Sequence, residues 1–299
     1  DAGGYWERKC YAHLESWPGI FYNKELNATL MVYVDDFKCA ASPEHLREVW
    51  KRIRGPTKAA PTGILMDDPT PVGRCLGCEH VLGTKWMDGL NGKKKVNTIR
   101  YDMTGFFGQC VERYRELCKD PNMVLKHAES PFYTTPASVT KGCGRAPWDS
   151  KEISFDEMPG EEPGKLASIA SAVLMKLLYG ARLARWDLLK CICMLASRVT
   201  KWTQACDKGL HKLVCYVNST KDHMLEGYVG DPPADLSLTL FADADFAGDQ
   251  GDQSRSTSGA IMFLTGPYSC MPLAAKSTKQ PNTATSTPEA EIVAAFHAT

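Results

Sequence analysis

Short β-favouring runs separated by turn-forming residues dominate the first part of the chain. Residues 29–33 form such a run, which breaks at Asp35 and Asp36 and resumes at once, predicting a hairpin with acidic residues at its turn. An amphipathic helix is predicted next, over residues 44–54, with Ser42 as its N-cap and proline at its first position. The predicted order is strand, acidic turn, strand, helix.

A second hairpin is predicted from residues 74–85 and 96–99, which flank a glycine-containing turn at 88–92. Apolar residues at helical spacing then predict a helix over 103–117. Residues 140–164, rich in proline, glycine and acidic side chains, are the best candidate for a linker.

The second half begins with helices and ends with strands. Residues 166–220 contain no proline and alternate apolar clusters with Lys and Arg, which predicts two or three packed helices with breaks at Gly180 and Gly209. Strands are predicted at 236–242 and 260–265. A last helix is predicted at 288–297, with Thr287 as its cap.

Charge is unevenly distributed, although the net charge is zero. Residues 165–221 carry ten Lys and Arg against two Asp, and residues 222–299 carry ten Asp and Glu against three Lys and Arg. A basic segment beside an acidic one is typical of a phosphate-binding surface next to a divalent-metal site, although two ordinary solvated faces are the alternative. The longest strongly apolar stretch, 166–175, is too short to cross a bilayer, so no membrane partner is expected.

Twelve cysteines are scattered along the chain without the dense spacing of a secreted disulfide scaffold, which indicates a reducing compartment. Cys75, Cys78 and His80 have zinc-ligand spacing, but no second such pair follows. Structural cysteines are the favoured interpretation. A zinc-stabilised interaction domain is the weaker alternative.

Adjacent carboxylates at a tight turn repel each other, so a divalent cation is their natural partner. Asp35 and Asp36 could hold Mg²⁺ (or Mn²⁺) for phosphoryl transfer, in which two metals clamp the attacking and leaving oxygens. Asp67 and Asp68 form a second pair, which is interpreted as an ordinary exposed turn before a proline.

The motif Tyr33-Val34-Asp35-Asp36 resembles the active-site hairpin of reverse transcriptases, in the form found in copia-type retroelements. Further segments resemble that family in order and spacing: Leu76-Gly77 of the primer-gripping hairpin, Thr135-Pro136 after the thumb helix, Leu178-Tyr179, Arg185-Trp186-Asp187, and residues 216–220. Trp186 stands where the family has proline, and Asn218 and Ser219 also depart from its pattern.

The most specific motif is residues 241–249, Phe-Ala-Asp-Ala-Asp-Phe-Ala-Gly-Asp, followed by segments 255–259 and 287–291. Together they resemble the copia-type ribonuclease H, in which a strand Asp and a helix Glu share a metal site. By that resemblance Asp243 is the strand carboxylate and Glu291 the helix carboxylate. Asp245 has the same strand parity as Asp243, so parity alone does not exclude it.

The resemblance implies an α+β fold with five segments: the end of a reverse transcriptase palm (1–70), a primer-grip hairpin and thumb-like helix (71–139), a linker (140–164), a basic helical connection (165–221) and the first part of a ribonuclease H domain (222–299). The implied partners are an RNA template, a DNA primer, their hybrid and the rest of a polyprotein. The implied location is intracellular, in the cytoplasm or a virus-like particle and then the nucleus. Candidate contacts to nucleic acid are Tyr33, Arg185, Lys201, Trp202, Lys212 and Arg255, with Trp202 expected at the surface and Tyr179 and Tyr216 expected in the helix core.

Each predicted metal site holds about half of the family's ligands. A third polymerase Asp is expected upstream of residue 1 and a further nuclease Asp downstream of Thr299, so little catalysis is expected from this chain alone. The alternative function is a catalytically inactive transposon remnant, or a nucleic-acid-binding module that keeps the fold.

Overall fold

The computed structural model describes residues 11–14, 17–55, 63–64, 66–89, 92–120, 122–133, 162–246 and 255–298. The chain divides into two compact units, Asp1–Gly77 and Cys78–Thr299. Both contain helices and antiparallel strands, so the fold class is α+β. Thr135-Pro136, the linker up to residue 161, the turn residues Leu90 and Asn91, and Asp249 lie outside the described residues.

The first unit is a four-stranded antiparallel sheet with one helix against it. Its elements are β1 (Ala12–His13), β2 (Ile20–Asn23), β3 (Ala28–Tyr33), β4 (Asp36–Ala40) and α1 (Pro43–Arg54), followed by the short strand β5 (Arg74–Cys75). Alternate residues of β3, Ala28 and Leu30, are fully buried against Val49 and Ile53 of α1. The helix begins at Pro43 as predicted, but the Ser42 side chain makes no capping hydrogen bond.

The second unit begins with the predicted second hairpin and helix. Its first elements are β6 (Cys78–Gly89), β7 (Gly92–Asp102) and α2 (Thr104–Cys118). The hairpin strands are longer than predicted and pair along their whole length, from Glu79 with Asp102 to Gly89 with Gly92.

Helices α3 (Ala167–Ala184), α4 (Leu189–Ala196) and α5 (Gln204–Ser219) pack with α2 around one apolar core. The predicted breaks at Gly180 and Gly209 are wrong, because both glycines lie inside helices. A Cβ on Gly180 would lie 2.8 Å from ring atoms of Phe106 and Phe107, so this glycine allows α2 and α3 to approach. By length and composition α3 could cross a bilayer, yet its Leu174 and Leu177 are buried in this core.

The last part of the chain completes an antiparallel sheet. Strands β8 (Leu225–Val229), β9 (Ser237–Asp245), β10 (Thr257–Gly266) and β11 (Ser269–Lys279) precede α6 (Thr287–Ala298), and the order within this unit is β6-β7-β8-β11-β10-β9. Strands β8 and β11 were not predicted. Helix α6 packs through Ala290 and Ala294 on the face of β9 that carries Ala244.

Candidate metal and nucleic-acid sites

The predicted acidic hairpin has the expected geometry. Strands β3 and β4 pair in register from Thr29 with Ala40 down to Tyr33 with Asp36, so Val34 and Asp35 alone form the turn. Asp35 and Asp36 are exposed, and within the described residues neither carboxylate accepts a hydrogen bond or forms an ion pair. Two carboxylates without an ion-pair partner among the described residues therefore project from a two-residue turn.

Val34 is held in an unfavourable backbone conformation at this turn. Its φ is +55°, in the left-handed region, and its side chain is 83% exposed. A β-branched residue with positive φ costs of the order of 1–3 kcal/mol, and no burial of the side chain offsets that cost here. Such strain concentrates at functional sites, where it fixes the direction of neighbouring side chains.

Replacing Val34 with glycine should stabilise the first unit by about 1 kcal/mol, because glycine adopts positive φ without steric cost. Urea denaturation with and without the substitution measures the difference. Thr29→Gly, at an exposed position of the adjoining strand β3, is the control and should lose about 0.5–1 kcal/mol. Equal losses in both variants would show that Val34 carries no strain.

The second acidic pair has a structural partner. The Arg54 guanidinium donates to the Asp68 carboxylate at 2.8 Å and to the Asp67 carbonyl oxygen at 2.6 Å. This contact ties the end of α1 to the segment after it. Asp67 and Asp68 are exposed as predicted, but the chain forms no turn at these residues. Only the Asp68 carboxylate has an ion-pair partner, whereas neither carboxylate of Asp35 and Asp36 has one among the described residues.

In the second unit, Asp243 and Asp245 lie on the same face of β9. Both line a cavity of about 460 Å³, together with Trp186 and Lys190. The Lys190 ammonium lies 3.2 Å from the Asp245 carboxylate, whereas Asp243 has no ion pair among the described residues. Asp243 is therefore the carboxylate of this cavity without an ion pair among the described residues, although a second lysine, Lys276, also lines the cavity.

Two glutamates near the start of α6, Glu289 and Glu291, have different surroundings. Glu289 accepts hydrogen bonds from the Thr285 amide and hydroxyl at 2.7 Å each, while its own amide donates to the Ser286 hydroxyl. These Thr285 hydrogen bonds lower the pKa of Glu289 below its usual range. Ser286 rather than Thr287 is thus the cap, and Glu289 is a capping residue. Glu291 remains as the helix carboxylate with no such structural engagement.

Asp243 and Glu291 are not brought into one cavity. Successive residues of a strand point to opposite faces, so Ala244 faces α6 while Asp243 faces α4. Glu291 is on α6 and does not line the cavity that holds Asp243. Among the described residues there is no group of three or more His, Cys, Asp or Glu side chains able to hold a metal ion.

Two of the predicted nucleic-acid contacts are buried. Arg185 is 2% exposed, and its guanidinium donates to Asp187 at 2.6 and 2.9 Å and to the carbonyl and hydroxyl oxygens of Thr220. Trp202 is 6% exposed and donates its indole N–H to Asp207 at 2.7 Å. The surface position predicted for Trp202 is wrong, and neither side chain can reach a nucleic acid in this structure.

The remaining predicted contacts are accessible. Tyr33 and Lys201 are exposed, and Lys212 and Arg255 are partly exposed. The two aromatic residues assigned to the core differ: Tyr216 packs against it and donates to Asp187, but Tyr179 is 46% exposed. The Tyr179 ring packs against Phe106 of α2 at a centroid distance of 5.6 Å, so the core position predicted for Tyr179 is wrong.

Half of the cysteines that the structure describes are buried. Ten free cysteines are described, and Cys78 and Cys110 are buried in the core of the second unit. Burial raises the pKa of the Cys110 thiol to about 12 and that of the Cys39 thiol to about 11, so both thiols stay protonated at neutral pH.

Sequence reasoning missed the residues that complete the Asp243 cavity and position α6. Lys190 follows Trp186 by four residues, a helical spacing that puts both on one side, but nothing local shows that β9 lies opposite. Gln280 is buried, and its amide donates to the Ser258 hydroxyl and to the Ala290 carbonyl oxygen at 2.9 Å each. Ser258 of the 255–259 motif therefore helps to hold α6 against the sheet through Gln280.

Comparisons with protein-family models, with curated proteins and with solved structures find no match to this chain.

Proposed function

We propose that the chain is part of a copia-type retrotransposon polymerase, the end of a reverse transcriptase followed by the start of a ribonuclease H. Its reaction would be phosphoryl transfer on template–primer hybrids. The single observation that carries the proposal is the β3–β4 turn, where Asp35 and Asp36 have no structural partner among the described residues and a strained Val34 fixes their direction. A two-residue hairpin turn takes positive φ at its first central residue, which explains the Val34 backbone, but it requires neither a β-branched residue there nor two adjacent carboxylates.

The exposed carboxylates fit Mg²⁺ or Mn²⁺, which prefer oxygen ligands and retain water in their coordination shell. When bound, such ions activate the attacking oxygen and stabilise the leaving one. Asp35 and Asp36 would hold them. Tyr33, exposed beside the turn, is suited to contact the primer strand.

The ribonuclease H part of the proposal rests on the 241–249 and 287–291 motifs. Three antiparallel strands followed by a helix, with an available Asp243 on the first strand, are compatible with it. Lys201, Lys212 and Arg255 would contact phosphates of the RNA–DNA hybrid without reading sequence. Asp243 faces α4, whereas Glu291 is on α6, which packs against the opposite face of β9, so the two residues as placed do not fit one shared Mg²⁺. This part of the proposal therefore rests on the sequence motifs alone.

A module that binds nucleic acid without turnover is the second candidate. The observation in its favour is the ion pair of Lys190 with Asp245 in the Asp243 cavity, since an ammonium there competes with a metal ion for the same negative charge. An inactive transposon remnant would have the same property.

Mn²⁺ binding at the hairpin tests the polymerase proposal. A carboxylate 4 Å from a divalent cation contributes about 2 kcal/mol even in bulk water, so Asp35→Asn/Asp36→Asn should weaken Mn²⁺ binding by roughly tenfold or more. The measurement is paramagnetic broadening of amide resonances in β3 and β4 during an Mn²⁺ titration of the full chain.

Asp67→Asn/Asp68→Asn is the matched control, because it removes the same charge from an adjacent pair of which one carboxylate, that of Asp68, is already paired with Arg54. It should leave the broadening of the hairpin unchanged. Broadening that survives Asp35→Asn/Asp36→Asn, or that is absent from the wild-type hairpin, would contradict the proposal.

A further inference from the structure

A concave surface in the second unit is separate from both acidic sites. It is a groove of about 850 Å³ between α2, residues 122–133, the start of α3 and α5. We call it the α2–α5 groove. Residues 122–133 form no helix or strand, and they are fixed along one wall by the Ala128 amide, which donates to the Ser219 hydroxyl at 3.1 Å.

The floor of the α2–α5 groove is apolar. It is formed by Leu117, Met123, Val124, Leu166 and Ile169 beside the buried Tyr114. Val124 is 66% exposed. Scattered apolar side chains are normal on a protein surface, but several that line one concave surface mark a site where a ligand removes them from water.

The rim of the groove is basic. Lys126, Lys165, Lys208 and Lys212 line it, and none of them forms an ion pair within the described part of the chain. Asp207 also lines the groove, but its carboxylate accepts three N–H groups, from the Lys165 and Leu166 amides and the Trp202 indole. The negative charge of Asp207 is therefore used by the fold. Asp120 also lines the groove, and its carboxylate accepts the Asn122 amide at 2.9 Å. Four lysines thus outnumber two aspartates, and the rim keeps a positive balance.

We propose that the α2–α5 groove binds an acidic amphipathic peptide of a partner protein. Its apolar side chains would fill the floor, and its carboxylates would meet the four lysines. This charge complementarity favours an acidic occupant over a neutral one and speeds its encounter with the groove.

The floor distinguishes a peptide from a nucleic acid. A single strand binds through aromatic rings on which its bases stack, and a duplex binds through polar contacts to phosphates. The lining is mainly aliphatic: Tyr114 is 1% exposed and Tyr133 is only partly exposed, so the groove lacks the row of open rings on which successive bases stack. Val124 and Met123 would leave water against phosphates without gaining an apolar contact. The proposal does not depend on the proposed metal sites, because the groove contains none of their ligands. It does compete with the proposed hybrid contact for one residue, Lys212, which lines the groove.

Fluorescence anisotropy with a labelled peptide of alternating leucine and glutamate tests the proposal on the full chain. Lys126→Glu/Lys208→Glu reverses two exposed rim charges and should weaken binding by about tenfold. Val124→Ser should weaken it by about threefold, since it removes apolar area from the floor. A peptide with serine in place of leucine, or glutamine in place of glutamate, should bind at least about tenfold more weakly.

Lys93→Glu/Lys221→Glu makes the same charge change outside the groove and should leave peptide affinity unchanged. Near-ultraviolet circular dichroism of each variant establishes that the fold is kept. Equal weakening by both double variants would overturn the proposal in favour of non-specific attraction. Displacement of the peptide by an RNA–DNA hybrid whose own binding also falls in Lys126→Glu/Lys208→Glu would overturn it in favour of a phosphate site.

Discussion

Replacing Arg185 with alanine should destabilise the second unit by about 3 kcal/mol, a large part of the stability of an ordinary domain. Removing one partner of a buried ion pair costs about 3–5 kcal/mol, and the lower end applies because the Asp187 side chain is 39% exposed and can be solvated. The Thr220 carbonyl oxygen, which accepts from Arg185 at 2.6 Å, would lose a buried donor. Urea denaturation measures the change.

Arg113→Ala is the matched control for this experiment. Arg113 also pairs with an acidic side chain, Glu116 at 3.0 Å, but the pair lies on the surface of α2. Exposed pairs of this kind contribute no more than about 1 kcal/mol. Similar losses for both variants would show that Arg185 is not a structural residue, and a loss of hybrid binding without a loss of stability would restore its predicted role in contacting nucleic acid.

Gly180→Ala and Gly108→Ala should change stability in opposite directions. Alanine is favoured over glycine inside a helix by about 1 kcal/mol, and this gain applies at both positions. A Cβ on Gly108 of α2 meets no atom within 4 Å, so Gly108→Ala should keep the full gain. On Gly180 the Cβ would overlap the rings of Phe106 and Phe107, and such overpacking costs about 1–3 kcal/mol.

The expected difference between the two variants is about 2 kcal/mol, with Gly180→Ala the less stable in urea denaturation. Since residue type and helical environment are the same, the comparison isolates the contact of α2 with α3. Stabilisation by both substitutions would mean that the two helices are free to move apart. Gly180→Val should enlarge the loss, because a branched side chain adds volume at the same contact.

The parts of the fold that were predicted correctly depend on local signals. The β3–β4 hairpin follows from a strand-forming run interrupted by two aspartates, and α1 from a proline followed by an amphipathic pattern. Helices α2 and α6 follow from apolar spacing. In each case the residues that specify the element lie within the element or beside it.

The predictions that failed depend on contacts distant in sequence. Arg185 and Trp202 resemble surface residues because they lie in a basic segment. Both are buried, and their polar groups donate hydrogen bonds to Thr220 and Asp207 respectively, which no local sequence pattern indicates. Gly180 looks like a break, although its absence of a side chain serves packing against α2. Strand β8 was missed because it is five residues long and contains a glycine.

The candidate site was predictable in its residues and not in its geometry. Strand parity correctly put Asp243 and Asp245 on one face of β9. It could not reveal that Lys190 of α4 forms an ion pair with Asp245. The sequence also does not show which of the neighbouring residues Glu289 and Glu291 caps the helix. The hydrogen bonds that Glu289 accepts from Thr285 identify Glu289 as the capping residue and leave Glu291 as the candidate ligand.

Strand β8 joins the early hairpin to the last strands of the chain. It pairs with β7 along Asn97–Tyr101 on one side and with β11 at Cys270 on the other, so five residues connect the two halves of the sheet. The amide protons of Gly227 and Tyr228 should therefore exchange with solvent only when the whole second unit opens. Dividing the second unit between α5 and β8 and expressing the two parts separately would leave an unpaired strand at the sheet edge of each part. Neither part should be obtained as a soluble monomer.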